Sequence, residues 1–165
     1  MSLNRLVRFY ISHDCTVSIN DRVNYNIVNP VNFVEHMILH NNADTIEPKT
    51  VYSDDIGINF FAFNKKLNIF SVYFDPPKNT NFTIEYDYDA INLIRSNIES
   101  PDTFDMPSNH TNSNIFVWKF VNQNFIKMKE NITVEIYFDI GKEFTHEDVD
   151  FSLNFTKSIV EENKR

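Results

Sequence analysis

Apolar residues recur at every second position along most of this chain, the period of a strand with one buried face. Val7, Phe9 and Ile11 share one side of a first strand, Cys15, Val17 and Ile19 of a second, and Val23, Tyr25 and Ile27 of a third. Asn20-Asp21 falls between the second and third, and these residue types tolerate the left-handed conformation of a tight hairpin, so a turn is expected there. Ile56 to Phe63 and Leu67 to Phe74 form a further pair around Asn64-Lys65-Lys66. Phe82, Ile84, Tyr86 and Tyr88 alternate with Thr83, Glu85 and Asp87. Phe116, Trp118 and Phe120, then Ile132 to Phe138, then Val149 to Phe155, supply three more candidates.

Two segments break the period. Asn29-Pro30 has the form of a helix cap followed by proline at the first helical position. Val31, Val34, Met37 and Ile38 then recur at helical spacing until Asn41-Asn42, which predicts a short helix. Asp89 is placed to cap a second, with Ile91, Leu93, Ile94 and Ile98 largely on one side; Thr145 and Asp148 suggest one further turn. The polar stretch from Ser100 to Asn114, with Pro101 and Pro107, reads as a long surface loop. Many short strands and few helices predict a mainly β fold: an antiparallel two-sheet sandwich, jelly-roll-like, with two short helices in its connections. A chain of 165 residues suits one such domain over 1–165, with a flexible C-terminal tail from position 157 onward.

Composition narrows the classes of function. Fifteen Lys and Arg against 23 Asp and Glu leave a net charge of −8 with no basic cluster, which argues against nucleic acid and against an anionic membrane surface. The balance suits solubility, or a basic protein partner. The single cysteine, Cys15, excludes an intrachain disulfide and a Cys-rich zinc site, and its alternation with Val17 and Ile19 predicts a buried core thiol. No apolar run approaches the length of a membrane span, and Arg5 and Arg8 interrupt the first residues, so an intracellular, cytoplasmic setting is the expectation. Residues with A/T-rich codons (Asn, Ile, Phe, Lys, Tyr, Met) dominate over Gly, Ala, Arg and Pro. That bias fits an A/T-rich genome, as in insect and large DNA viruses, parasitic protists and some low-GC bacteria; for a viral source the expected location is the virion.

Candidate chemistry is sparse. The only glycines are Gly57 and Gly141, so no phosphate-cradling loop, dinucleotide fingerprint or nucleophile elbow can be written, and no cofactor is expected. His36 and His40, four apart on the first predicted helix, have the spacing of a metal-chelating pair, but no glutamate follows the first histidine and the helix face opposite Val34 and Met37 is the solvent side. Cys15 served by His13, its next-but-one neighbour on the same face, is a sterically possible nucleophile–base pair. Glu85, Asp87 and Asp89 line the outer side of one strand, as a solvated face or as a contact stripe for a basic partner. Glu143, Glu147, Asp148 and Asp150 form a second acidic group. Asp102-Thr103-Phe104-Asp105, between two prolines, has the form of an exposed protease bait. Trp118 is expected in the core.

These features point to a non-catalytic protein-binding or assembly module, of a viral structural or host-modulating kind. Its partner would be another protein or a second copy, with Glu85, Asp87, Asp89, Asp102 and Asp105 as contact residues. The alternatives are an acidic inhibitor or immunity protein occupying a basic site on its target, and a small metal-dependent enzyme.

Overall fold

The computed structural model describes residues 3–12, 14–39, 43–77, 80–96, 114–115, 118 and 130–139. They form ten strands: β1 Leu3–Ser12, β2 Val17–Asn26, β3 Phe33–Met37, β4 Thr45–Tyr52, β5 Ile58–Asn64, β6 Ile69–Phe74, β7 Asn81–Ile91, β8 Arg95–Ser96, β9 Asn114–Ile115 and β10 Glu130–Asp139. A five-stranded sheet runs in the order β10-β1-β2-β7-β4, a three-stranded sheet in the order β3-β6-β5, and β8 pairs with β9 alone.

The alternating pattern explains the layering. Val7, Phe9 and Ile11 of β1, Val17, Ile19, Val23 and Tyr25 of β2, and Phe82, Ile84, Tyr86, Tyr88 and Ala90 of β7 are buried on the inner face of the large sheet. From the small sheet, Phe70, Val72 and Phe74 of β6 join the same hydrophobic cluster. Ring contacts cross between the layers: Phe70 lies 5.3 Å from Tyr86, and Phe74 lies 5.3 Å from Phe82, centroid to centroid. Trp118 is buried as expected, edge-on to Phe9 at 5.4 Å and stacked over Tyr88 at 6.2 Å.

Four expectations are corrected. The segment predicted as the first helix is strand β3, which pairs antiparallel with β6. Val34 and Ile38 are four apart, which fits a helix, but Val34, His36 and Ile38 also share the inner side of an extended chain, and burial against the core favours that reading. The second predicted helix is absent among the described residues, because β7 continues through Asp89 to Ile91 and ends where Asn92 adopts φ 54°. Asn20-Asp21 is no turn: β2 runs unbroken through it, antiparallel to β1 and β7 on its two sides. Cys15 is exposed rather than core. It sits at φ 64° in the β1–β2 turn, donating its N–H to the Ser12 carbonyl at 2.9 Å, while Ser12 N–H donates to Thr16 O at 3.0 Å. Pairing is antiparallel throughout except between β1 and β10, which are parallel over ten residues from Leu3↔Glu130 to Ser12↔Asp139. The predicted tail beyond position 157 lies outside the described residues.

Candidate functional site

Three features of the two layers carry chemistry: an ionic cluster between the sheets, a polar network outside the large sheet, and an aromatic row outside the small one.

Arg5 and Asp21 occupy core positions in strands whose other inward residues are apolar, and His36 does the same in β3. The Asp21 carboxylate accepts two bonds from the Arg5 guanidinium, Nε to Oδ1 at 2.8 Å and Nη2 to Oδ2 at 2.5 Å. Oδ2 also accepts from His36 Nε2 at 2.9 Å, which fixes a proton on that ring nitrogen, and from the Tyr88 hydroxyl at 3.3 Å. The His36 ring stacks on Tyr86 with centroids 4.4 Å apart, and the Tyr86 hydroxyl shares a 2.7 Å hydrogen bond with that of Tyr25. Complete burial pushes the Asp21 carboxyl upward, but the Arg5 charge and then His36 outweigh it and hold the group well below the usual carboxylate range. Burial likewise pushes Tyr86 and Tyr88 far above the ordinary tyrosine value, so both stay protonated.

This cluster ties β1 and β2 of the large sheet to β3 of the small one. A histidine beside a buried carboxylate is half of a familiar catalytic arrangement, yet Asp21 is 0%, Arg5 6% and His36 7% exposed, so substrate has no approach to it. Its chemistry is that of an inter-sheet clasp.

Outside the large sheet, the carboxylates of the predicted acidic stripe are already engaged. Asp89 accepts from Ser18 Oγ at 2.7 Å and pairs with Lys49 Nζ at 2.6 Å. Asp87 accepts from Asn20 Nδ2 and from Thr50 Oγ1, each at 2.7 Å. Glu85 accepts from Asn20 and the Tyr52 hydroxyl and faces Arg22 at 3.6 Å. Its hydrogen bond is the main reason the Tyr52 phenol is pushed up to about 12. Arg8 extends the network to β10 through Glu135 at 2.8 Å, a bond that raises the arginine and lowers the glutamate.

Outside the small sheet the picture inverts. Phe33, Tyr73 and Phe60, one from each strand, lie in register across the sheet and are 47%, 36% and 56% exposed. Phe60 and Tyr73 stack with centroids 4.4 Å apart and planes 13° apart; Phe33 stacks on the other side of Tyr73 at 5.9 Å and 23°. Met37, 46% exposed, adds apolar surface farther along β3. Off the strand ends, where β5 begins and β6 finishes, Asp55, Ile56, Gly57, Asp75, Pro76, Pro77 and Asn81 line an open recess of about 320 Å³.

Of the residues singled out from sequence, Glu85, Asp87 and Asp89 are brought together on β7, and His36 enters the core. His13, His40, Asp102, Asp105 and the group Glu143 to Asp150 lie outside the described residues. Among the described residues no three His, Cys, Asp or Glu side chains gather as metal ligands, and no helix is long and apolar enough to cross a membrane. Sequence reasoning missed the Arg5–Asp21–His36 cluster, although the parity of Arg5 and Asp21 with their apolar neighbours signals it. It also missed the exposed row, because Phe33, Phe60 and Tyr73 stand among other apolar residues and nothing local marks them as outward. No family model matches the chain, and no curated protein matches it in sequence.

Proposed function

We propose that the protein is a non-catalytic protein-binding module, a β-sandwich whose contact surface is the outer face of the three-stranded sheet. The observation that supports this most is the row Phe33–Tyr73–Phe60, three adjacent aromatics left in water by a chain that buries comparable rings elsewhere. Single exposed apolar residues are ordinary, whereas contiguous patches mark contact sites, and aromatic anchors dominate the energetics of interfaces. The acidic-inhibitor alternative draws on Glu85, Asp87 and Asp89. Their existing bonds to Ser18, Asn20, Lys49, Thr50 and Tyr52 would have to be broken before a basic partner gained them.

A photo-crosslinking amino acid placed at position 60 and, separately, at position 87 distinguishes the two faces in the source cell. A discrete protein adduct from position 60 but not from 87 is expected. An adduct from 87 alone would transfer the contact to the acidic face, and none from either position would contradict a binding role for both.

A further inference from the structure

We infer that the open edge of β3 takes an extended segment of another protein as a further antiparallel strand, with a Lys or Arg of that segment opposite Glu35 and apolar residues opposite Phe33 and Met37. This rests on the binding role proposed above, whose aromatic row reaches the same edge at Phe33, and names the chemistry of the partner.

The register of the small sheet decides which backbone groups are open. β3 is an end strand and pairs with β6. Phe74 N–H donates to Asn32 O at 2.9 Å and Ile38 N–H donates to Asn68 O at 2.8 Å, each bond joining residues that stand opposite when that register is continued. Opposed residues of an antiparallel pair alternate between bonded and non-bonded. Val34 and His36 therefore direct their N–H and C=O groups to β6, whereas those of Phe33, Glu35 and Met37 point away from it. Among the described residues nothing bonds to these three N–H and three C=O groups.

Unpaired edges invite pairing, and folded chains blunt them with prolines, lysines or bulges. β4 does so, with Pro48, Lys49 and a register shift between Pro48 and Thr50, and β5 shifts register between Ile58 and Phe60. β3 has no proline, lysine or shift. It is also held in place, since His36 Nε2 donates to Asp21 at 2.9 Å and the ring stacks on Tyr86. The edge is preformed, so an incoming strand loses little in ordering it.

The side chains say what fits. Phe33, Glu35 and Met37, whose backbone groups face the edge, also carry the outward side chains of β3, and all three are exposed. A residue added opposite each one places its own side chain beside it on the outer face. Apolar residues opposite Phe33 and Met37 widen the apolar surface. Glu35 has no hydrogen bond or ion pair among the described residues, whereas Glu85, Asp87, Asp89 and Glu135 each have a donor. A cation opposite Glu35 supplies one. A second copy is disfavoured, because the antiparallel register that sets Phe33 against the Met37 of that copy also sets Glu35 against its Glu35.

The test is amide hydrogen exchange and chemical-shift titration of the full ¹⁵N-labelled chain with the capped peptide Ser-Val-Thr-Lys-Thr-Val-Ser. In the free chain the amides of Phe33, Glu35 and Met37 should exchange faster than those of Val34 and His36. The peptide should give saturable shifts and slow those three. Glu in place of Lys should weaken binding by about tenfold, the scale of exchanging an attractive cross-strand pair for a repulsive one. That preference should reverse in Glu35→Lys, a change at an exposed position. A methyl group on the backbone nitrogen of the peptide Lys, which removes the donor to Glu35 O, should abolish binding. Equal binding of the Lys and Glu peptides overturns the inference, as does a methylated peptide that binds as well as its parent. Protection of the three amides in the free chain also overturns it, assigning the edge to the chain's own residues in a monomer and to a second copy where light scattering finds a dimer. Silence with every peptide overturns it too, and a protein adduct from position 60 then leaves the proposed contact face standing.

Discussion

At the scale of single residues, the decisive feature is that charged groups take core positions and satisfy one another there. Asp21 makes four polar contacts between the two sheets, two of them to Arg5. Taking two ions out of water costs several kcal/mol per ion, so the pair adds little net stability, but removing one partner leaves the other charge buried alone. Asp21→Asn should therefore cost about 3–5 kcal/mol in urea unfolding. The combined replacement Arg5→Met, Asp21→Leu and His36→Phe should cost much less than the single change; a larger loss would show that the cluster stabilises rather than specifies. The pH dependence has a definite sign. Because the folded-state pKa of Asp21 lies below its unfolded value, its contribution is full above about pH 4 and fades as the pH falls. Acid unfolding monitored by fluorescence should lose part of its slope in Asp21→Asn; an unchanged slope would contradict the assignment.

At the scale of elements, the outer network of β2, β4 and β7 behaves differently because water competes for every bond in it. Asp87→Ala removes the acceptor of Asn20 and Thr50 and should lower stability by less than about 1 kcal/mol in thermal unfolding, as exposed polar contacts do. Tyr52 is its most readable member. Its phenol should stay protonated until about pH 12 and titrate lower, toward the ordinary tyrosine value, in Glu85→Gln, as followed by NMR of ring-labelled tyrosine. The strands themselves were largely legible in the alternation, since Val7–Ile11, Ile69–Phe74 and Phe82–Tyr88 fall where the period places them. Reading missed β4 altogether, whose one fully buried residue is Ile46 and whose register shifts between Pro48 and Thr50, and it failed elsewhere where a polar residue held a core slot. Positions 15, 17, 19, 21, 23, 25 and 27 share one parity, so β2 could have been seen as one strand with Asp21 inward, but Asn20-Asp21 also carries turn chemistry. The partner that overrides that chemistry, Arg5, lies in another strand. His36 was lost for a related reason: Val34 and Ile38 satisfy both periods, and only tertiary burial separates them. The candidate contact face was not legible, because the inward or outward choice of Phe60 follows from the register shift between Ile58 and Phe60, which no local pattern announces.

At the scale of the whole molecule, two sheets share one interior and present two unlike exteriors. The large sheet closes its outer carboxylates with its own donors, and the small sheet leaves aromatics to solvent. On this account the rings divide by purpose: Phe9, Phe70, Phe74 and Phe82 hold the layers together, while Phe33, Phe60 and Tyr73 are free for a partner. Equilibrium urea unfolding of the combined Phe33→Ser, Phe60→Ser and Tyr73→Ser variant tests that division directly. Only cross-strand ring pairing should be lost, about 0.2–1 kcal/mol for each of two pairs, with the unfolding slope unchanged. A loss of the size of core truncation, about 3–5 kcal/mol for each ring, would show that the row is packed rather than open and would contradict the account.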